Sequence, residues 1–294
     1  MSELEQYFQY LQSEKRVSVH TLTSYKNDLE QFELYLSRFY EETLLTATTM
    51  HVRSWFAEMK EGDMSSRTIH RKRSALSSFY KFARRKEWVS ADPVKQTTAP
   101  KAEKRLPQFV DEKGMGLLLD EVIPRDGTFP LERDHLMVTL LYECGIRRAE
   151  LIGIRDTDID FSKEQLKVLG KRNKERLIPL SKRTLEQVKN YMEIKQATFS
   201  LNHDHLLCTD RGLKLYPGLV YRKVNSYLRK VSSLDKRSPH VLRHSFATHL
   251  LNNGAQLNTV KELLGHANLS ATQIYTHNTI EKLKSIHERN HPKG

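Results

Sequence analysis

The sequence predicts a mainly α chain in two domains: an N-terminal helical bundle, then a mixed, mostly helical domain with a small antiparallel sheet. Three observations predict it. Apolar residues recur at three- and four-residue spacing through most of the 294 residues. A stretch after Trp88 that is rich in proline and polar residues breaks that pattern. Between Asp158 and Leu180 the periodicity gives way to two short apolar runs around a polar turn. The length also exceeds the usual size of one compact domain.

The first domain is expected over residues 1–96. Leu4, Phe8 and Leu11 mark one helix, and Leu22, Tyr25, Leu29, Phe32 and Leu36 a second. A third strong segment, "SSRTIHRKRSALSSFYKFARRKEW", sets Ile69, Leu76, Phe79, Tyr80 and Phe82 among eight cations from Arg67 to Lys86. A solvated helix face is the plain alternative. However, such a face normally mixes signs to gain i,i+4 pairs, and no acid lies between Asp63 and Glu87, which points to phosphate contact. Arg67, Arg71, Lys72, Arg73, Arg84 and Arg85 are the candidate DNA-contacting cations. The segment "SADPVKQTTAPKAEKRLPQ" that follows reads as an extended basic linker, with residues 97–107 as its core.

The second domain is expected over residues 108–294. Helical patterns occupy about 111–123 and 131–144, and "ECGIRRAELIGI" is a glycine turn followed by a new helix start. Leu166, Val168 and Leu169, then Leu177, Ile178 and Pro179, flank "GKRNKER" as a β-hairpin. Helical patterns return from about 183. No fixed-period repeat is present, which removes solenoid folds.

Charge narrows the partner. The net charge is +12 and the pI near 9.5, which suits a polyanion. The excess is local: residues 1–63 hold 6 Lys/Arg against 11 Asp/Glu, and residues 64–100 hold 9 against 2. A mean hydropathy of −0.61 and the lack of a long apolar run argue against a membrane protein. The acidic start "MSELEQYF" has no leader-like pattern, and Cys144 and Cys208 lack metal-ligand spacing, so a cytoplasmic chain with free thiols is expected.

The chemistry-bearing stretch is "SPHVLRHSFATHLLNNG". Ser238 suits an N-cap, Pro239 the first helical turn and Gly254 the stop, with Leu242, Phe246 and Leu250 as the buried stripe. His240 and Arg243 then share a face at the helix N-terminus, where an anion is favoured. His240, His244 and His249 could suggest zinc, since an i,i+4 histidine pair is a familiar arrangement, but no glutamate or cysteine stands where a third ligand or general base is expected. Elsewhere, "CGIRRAEL" offers Arg147 with Glu150 three residues on, "LGKRNKER" offers Lys171, and "LLGHANLSATQIYTH" offers His266 and Tyr275.

These four motifs, in this order and spacing, resemble the tyrosine recombinase (phage integrase) family, and look most like its Xer-like subgroup. The resemblance implies that a SAM-like core-binding domain and a catalytic domain clamp duplex DNA. It carries an active site over to Arg147, Lys171, His240, Arg243, His266 and the nucleophile Tyr275. One departure stands out: the family's turn commonly reads Gly-Lys-Gly, where this chain has Gly170-Lys171-Arg172, which implies either a less flexible hairpin tip or an added phosphate contact, and Arg172 is kept among the candidate DNA contacts. No metal and no cofactor are expected, because guanidiniums can clamp the phosphate and a tyrosyl ester conserves the bond energy. The chain also lacks the clustered carboxylates of a two-metal nuclease.

By resemblance the partners are a double-stranded core site, a homo- or hetero-tetramer on DNA that could include a paralogous recombinase, and a DNA translocase. The segment after Tyr275 would dock on a neighbouring protomer, with packing in cis as its alternative. The expected role is resolution of chromosome or plasmid dimers at cell division. A mobile-element integrase or invertase is the alternative of the same family, and a catalytically silent DNA-binding regulator the alternative of another class.

Overall fold

The structure is a computed structural model and describes residues 1–98, 108–170, 174–199, 204–265, 286 and 289–292. The chain divides into two compact units, Met1–Arg105 and Leu106–Gly294.

The first unit holds α1 (Glu3–Ser13), α2 (Val19–Tyr40), α3 (Thr49–Glu61) and α4 (Ser66–Arg85). Serine caps start three of them: the Ser2, Ser18 and Ser65 hydroxyls accept from the backbone N–H of Glu5, Thr21 and Thr68, satisfying donors the helix cannot. The three- and four-residue apolar spacing becomes the core, where Leu29, Phe32, Leu36, Ile69, Leu76, Phe79 and Tyr80 are fully buried. Each such side chain contributes roughly 1.5–3 kcal/mol by leaving water.

The stretch after Trp88 departs from the extended reading in its first part. Val94 joins this core and Thr97 is buried, its hydroxyl donating to the Val94 carbonyl, so residues up to there are folded onto the unit. The remaining linker residues, 99–107, lie outside the described residues.

In the second unit α5 (Glu112–Leu117) runs into a π-helical turn (Leu118–Val122), followed by α6 (Phe129–Glu143) and α7 (Arg148–Gly153). Next comes an antiparallel sheet in the order β1 (Ile159–Asp160), β2 (Gln165–Leu169), β3 (Glu175–Pro179). The sequence pattern identifies β2 and β3 but not the two-residue β1. Helices α8 (Lys182–Thr198), α9 (Pro217–Val231), α10 (Pro239–Asn252) and α11 (Leu257–Leu264) complete the described part.

Helix α6 is the central element: it packs against α8, α9 and α10, and nearly every residue from Arg133 to Glu143 is buried. It ends at Cys144, and Gly145 then turns the chain with φ +56. A Cβ on Gly145 would stand 2.4 Å from Phe246 Cδ1, so only glycine allows both this backbone conformation and the close packing of the turn on α10. That turn delivers Arg147.

Candidate active site

Arg147 occupies the N-cap position of α7, in extended conformation. Its backbone N–H donates to Glu150 Oε2 at 2.8 Å and its Nη1 to Glu150 Oε1 at 2.7 Å, so the carboxylate three residues on fixes both the main chain and the guanidinium. Nη2 reaches across to the Gly265 carbonyl at 3.2 Å. The side chain stays 35% exposed, so donors remain open to an outside anion.

Arg243 arrives from the second turn of α10, the helix that starts after Ser238 with Pro239 at its first position. The predicted stripe is buried, with Leu242, Phe246 and Leu250 fully covered. The Ser238 hydroxyl, however, makes no cap bond, so the proline and packing set this helix start. Arg243 Nη1 donates to the Gly145 carbonyl and Nη2 to the Leu264 carbonyl, both at 2.6 Å. Burial, reinforced by the Arg147 charge and opposed by Glu150, lowers Arg243 to about 10, which leaves it cationic at neutral pH. The two arginines therefore grip consecutive carbonyls, Leu264 and Gly265, of the segment that leads into His266.

His240 is exposed at the start of the same helix. Its pKa is lowered by partial burial and then by the positive charges of Arg148, Arg243 and Arg147. An imidazole held neutral among cations is able to accept a proton. Together with Arg243, His244, Leu257, Lys261 and Leu264 it lines an open hollow of about 360 Å³. His249 is a structural residue, buried with Nδ1 2.8 Å from the Tyr142 hydroxyl, and His244 sits half-buried beside Phe109.

Two charges missed by sequence reasoning belong to this neighbourhood. Arg148 adds a third cation facing His240. Arg176, on β3, donates from Nη1 and Nη2 to the Glu150 oxygens at 2.9 Å each. Burial alone would raise the Glu150 carboxyl, but the Arg176 bonds and charge, with those of Arg147, bring it down to about 2. A signal for Arg176 was present in the alternation of the hairpin: it pairs with Val168 and lies two residues from the buried Ile178, on the inward face.

Lys171, Arg172, His266 and Tyr275 lie outside the described residues. So does most of the segment after Tyr275. The described parts of that segment, Ile286 and residues 289–292, pack in cis. Ile286 rests on the core, His291 lies 4.7 Å from the Tyr142 ring, and Asn253 Nδ2 donates to the Asn290 carbonyl at 2.9 Å.

The basic face of α4 needs one correction. Lys72 is only 2% exposed, bonded to Asp28 at 3.1 Å and to Gln31, with its ammonium 5.1 Å from the Trp55 ring. Its charge neutralises a buried carboxylate from α2, so it is not a surface phosphate contact. Arg71 shares Asp28 but remains exposed, and Arg73 is half-buried with Nε donating to the Thr97 carbonyl. Arg67 and Arg84 are exposed, and Arg85 is exposed over the Tyr10 ring at 4.4 Å.

Comparison with known proteins reaches the whole chain. The phage integrase family model matches residues 109–282, and the model of the phage integrase N-terminal SAM-like domain matches residues 4–87. The tyrosine recombinase XerC of Listeria monocytogenes serotype 4b is 38% identical over 99% of this chain and 97% of its own length. That of Chlorobaculum parvum is 34% identical over 98% and 94%. Among solved structures, the XerH site-specific recombinase in a post-cleavage complex with palindromic difH substrate superposes with a TM-score of 0.75, at 22% identity over 97% of this chain and 83% of that one. The Tn1549 transposon integrase with circular intermediate DNA superposes with a TM-score of 0.71, at 17% identity over 96% and 98%. Both likenesses concern the fold.

Proposed function

This chain belongs to the phage integrase family, and from that premise we propose that it is a site-specific recombinase that cuts and rejoins DNA through a 3′-phosphotyrosine intermediate. One observation carries the chemistry. Arg147 and Arg243, nearly a hundred residues apart in sequence, bond the adjacent carbonyls of Gly265 and Leu264 beside a neutral-leaning His240. Two guanidiniums brought to one place are suited to hold the non-bridging oxygens of a phosphodiester as charge builds on them.

In the proposed reaction the Tyr275 Oη attacks phosphorus, its proton passes to His240, and the bond from phosphorus to the 5′ oxygen breaks. Lys171 protonates that oxygen, Arg147 and Arg243 hold the phosphoryl oxygens, and His266 donates to one of them. Rejoining is the reverse, with the 5′ hydroxyl attacking the tyrosyl ester, so no nucleotide is consumed. Exchange proceeds two strands at a time in a tetramer on paired core sites. We assign the biological role to dimer resolution on circular replicons, supported by the XerC relatives, which match over nearly their whole length.

The test is covalent trapping. The chain is incubated with a pool of nicked duplexes of randomised core sequence, and adducts are selected on denaturing gels. A covalent protein–DNA complex carrying a selected core sequence is the expected result; binding without any adduct would favour a silent DNA-binding protein.

A further inference from the structure

The segments that carry three of the candidate catalytic residues converge on one side chain to which the reaction above assigns nothing. Arg176 is 5% exposed. Its Nη1 and Nη2 take both oxygens of Glu150, the carboxylate that holds Arg147, and its Nε donates to the Leu263 carbonyl at 3.0 Å. Gly265 closes α11 in the left-handed conformation, φ +63, and a Cβ there would stand 3.1 Å from Arg176 Cδ and 3.2 Å from Nη1. A Cβ on Gly170 would lie 3.7 Å from both Arg176 Nη1 and Glu150 Oε1. Glu150 follows Arg147 by three residues, Gly170 precedes Lys171, and Gly265 precedes His266.

We propose that Arg176 is a positioning residue for strand cleavage: its guanidinium sets the spacing among the backbone segments that lead into Arg147, Lys171 and His266. The inference rests on the recombinase reading above. Two physical arguments support it beyond the contacts. A buried ion pair adds little stability compared with apolar residues of the same volume, because desolvation cancels much of the attraction. Its distinguishing property is geometric: a planar fork fixes the carboxylate in two bonds while a third donor, Nε, holds a separate chain segment. Lysine, a point charge, cannot hold both oxygens of Glu150 and the Leu263 carbonyl in that arrangement.

The test uses the full chain and a nicked duplex selected as described above. Arg176→Lys keeps a cation opposite Glu150, and Arg176→Met removes it. For Arg176→Lys, duplex affinity and thermal midpoint should stay close to those of the parent, while the single-turnover rate of covalent complex formation falls at least about 10-fold, approaching about 100-fold in Arg176→Met. A duplex with sulfur in place of the bridging 5′ oxygen, whose thiolate leaves without needing a proton, should recover part of the Arg176→Lys loss, because protonation by Lys171 is then bypassed. Wild-type cleavage rates in both variants would overturn the proposal. So would a loss of cleavage matched by an equal loss of duplex binding or by a collapse of the unfolding transition, since Arg176 would then be scaffold alone. A slow variant with no recovery on the sulfur substrate would remove Lys171 from the set and overturn the three-segment form. If the unaltered chain itself forms no adduct, the recombinase reading fails first, and the inference falls with it.

Discussion

Gly145 shows how much one residue decides. Its φ of +56 and the 2.4 Å separation between a would-be Cβ and Phe246 mean that Gly145→Ala must shift α10 or strain the turn before Arg147. A loss of roughly 1–3 kcal/mol is expected in urea unfolding, with slower cleavage beyond what instability explains. Glu150 makes a pH prediction. Its folded value of about 2 lies below the ordinary 4.5, so its contribution is fully present above the ordinary value and is lost as pH falls towards about 2. On the order of 3 kcal/mol rides on that window, and Glu150→Gln should flatten the acid limb of the stability profile. His240 acts in the opposite sense on activity. Burial and three neighbouring arginines lower its pKa, so it stays neutral, and able to take a proton, to lower pH than an ordinary histidine. Cleavage rate against pH should hold its plateau further towards acid than an unperturbed histidine would allow. His240→Asn should remove the acid limb and slow cleavage about 100-fold or more.

At the scale of elements, α4 separates two kinds of cation that look identical in sequence. Lys72 lies inside against Asp28, so Asp28→Ala strands a buried charge and should cost about 3–5 kcal/mol in chemical unfolding. Arg67, Arg84 and Arg85 lie outside, and reversing their charge should weaken duplex binding and flatten its dependence on salt with little change in stability. An unchanged salt slope would leave that face merely solvated. The sequence could not sort these residues, because the acid that claims Lys72 comes from α2, more than forty positions away. Periodicity did reveal α1, α2 and α4, whose apolar stripes form the core of the first unit, and the β2–β3 hairpin, whose Leu166, Val168 and Ile178 join the core of the second. It missed the two-residue β1, too short to carry a pattern, and gave no sign that α5 would end in a π-helical turn. Helix α6 offered the least pattern: buried nearly all round, it has no polar face to mark a stripe.

For the whole molecule, the division into a helical unit and a mixed unit was legible from the break after Trp88, though Val94 and Thr97 fold back where an extended linker was expected. Of the residues the motifs single out, Arg147 and Arg243 bond the adjacent Gly265 and Leu264 carbonyls with His240 nearby, and Lys171, His266 and Tyr275 lie outside the described residues. Glu150 and Arg176 each lie within a motif, but no motif read alone pairs them, because the pairing depends on a contact between a helix and a strand 26 residues apart. Among the described residues, no helix is long and apolar enough to cross a membrane. The central claim is that Tyr275 forms the covalent bond. The most direct measurement compares the chain with Tyr275→Phe on a nicked core duplex, reading the adduct on a denaturing gel and duplex affinity by gel shift. The adduct should vanish in Tyr275→Phe while affinity stays within about 2-fold, since duplex affinity rests mainly on cation–phosphate contacts and loss of one phenolic oxygen removes none of them. An adduct that persists in Tyr275→Phe would contradict the central claim.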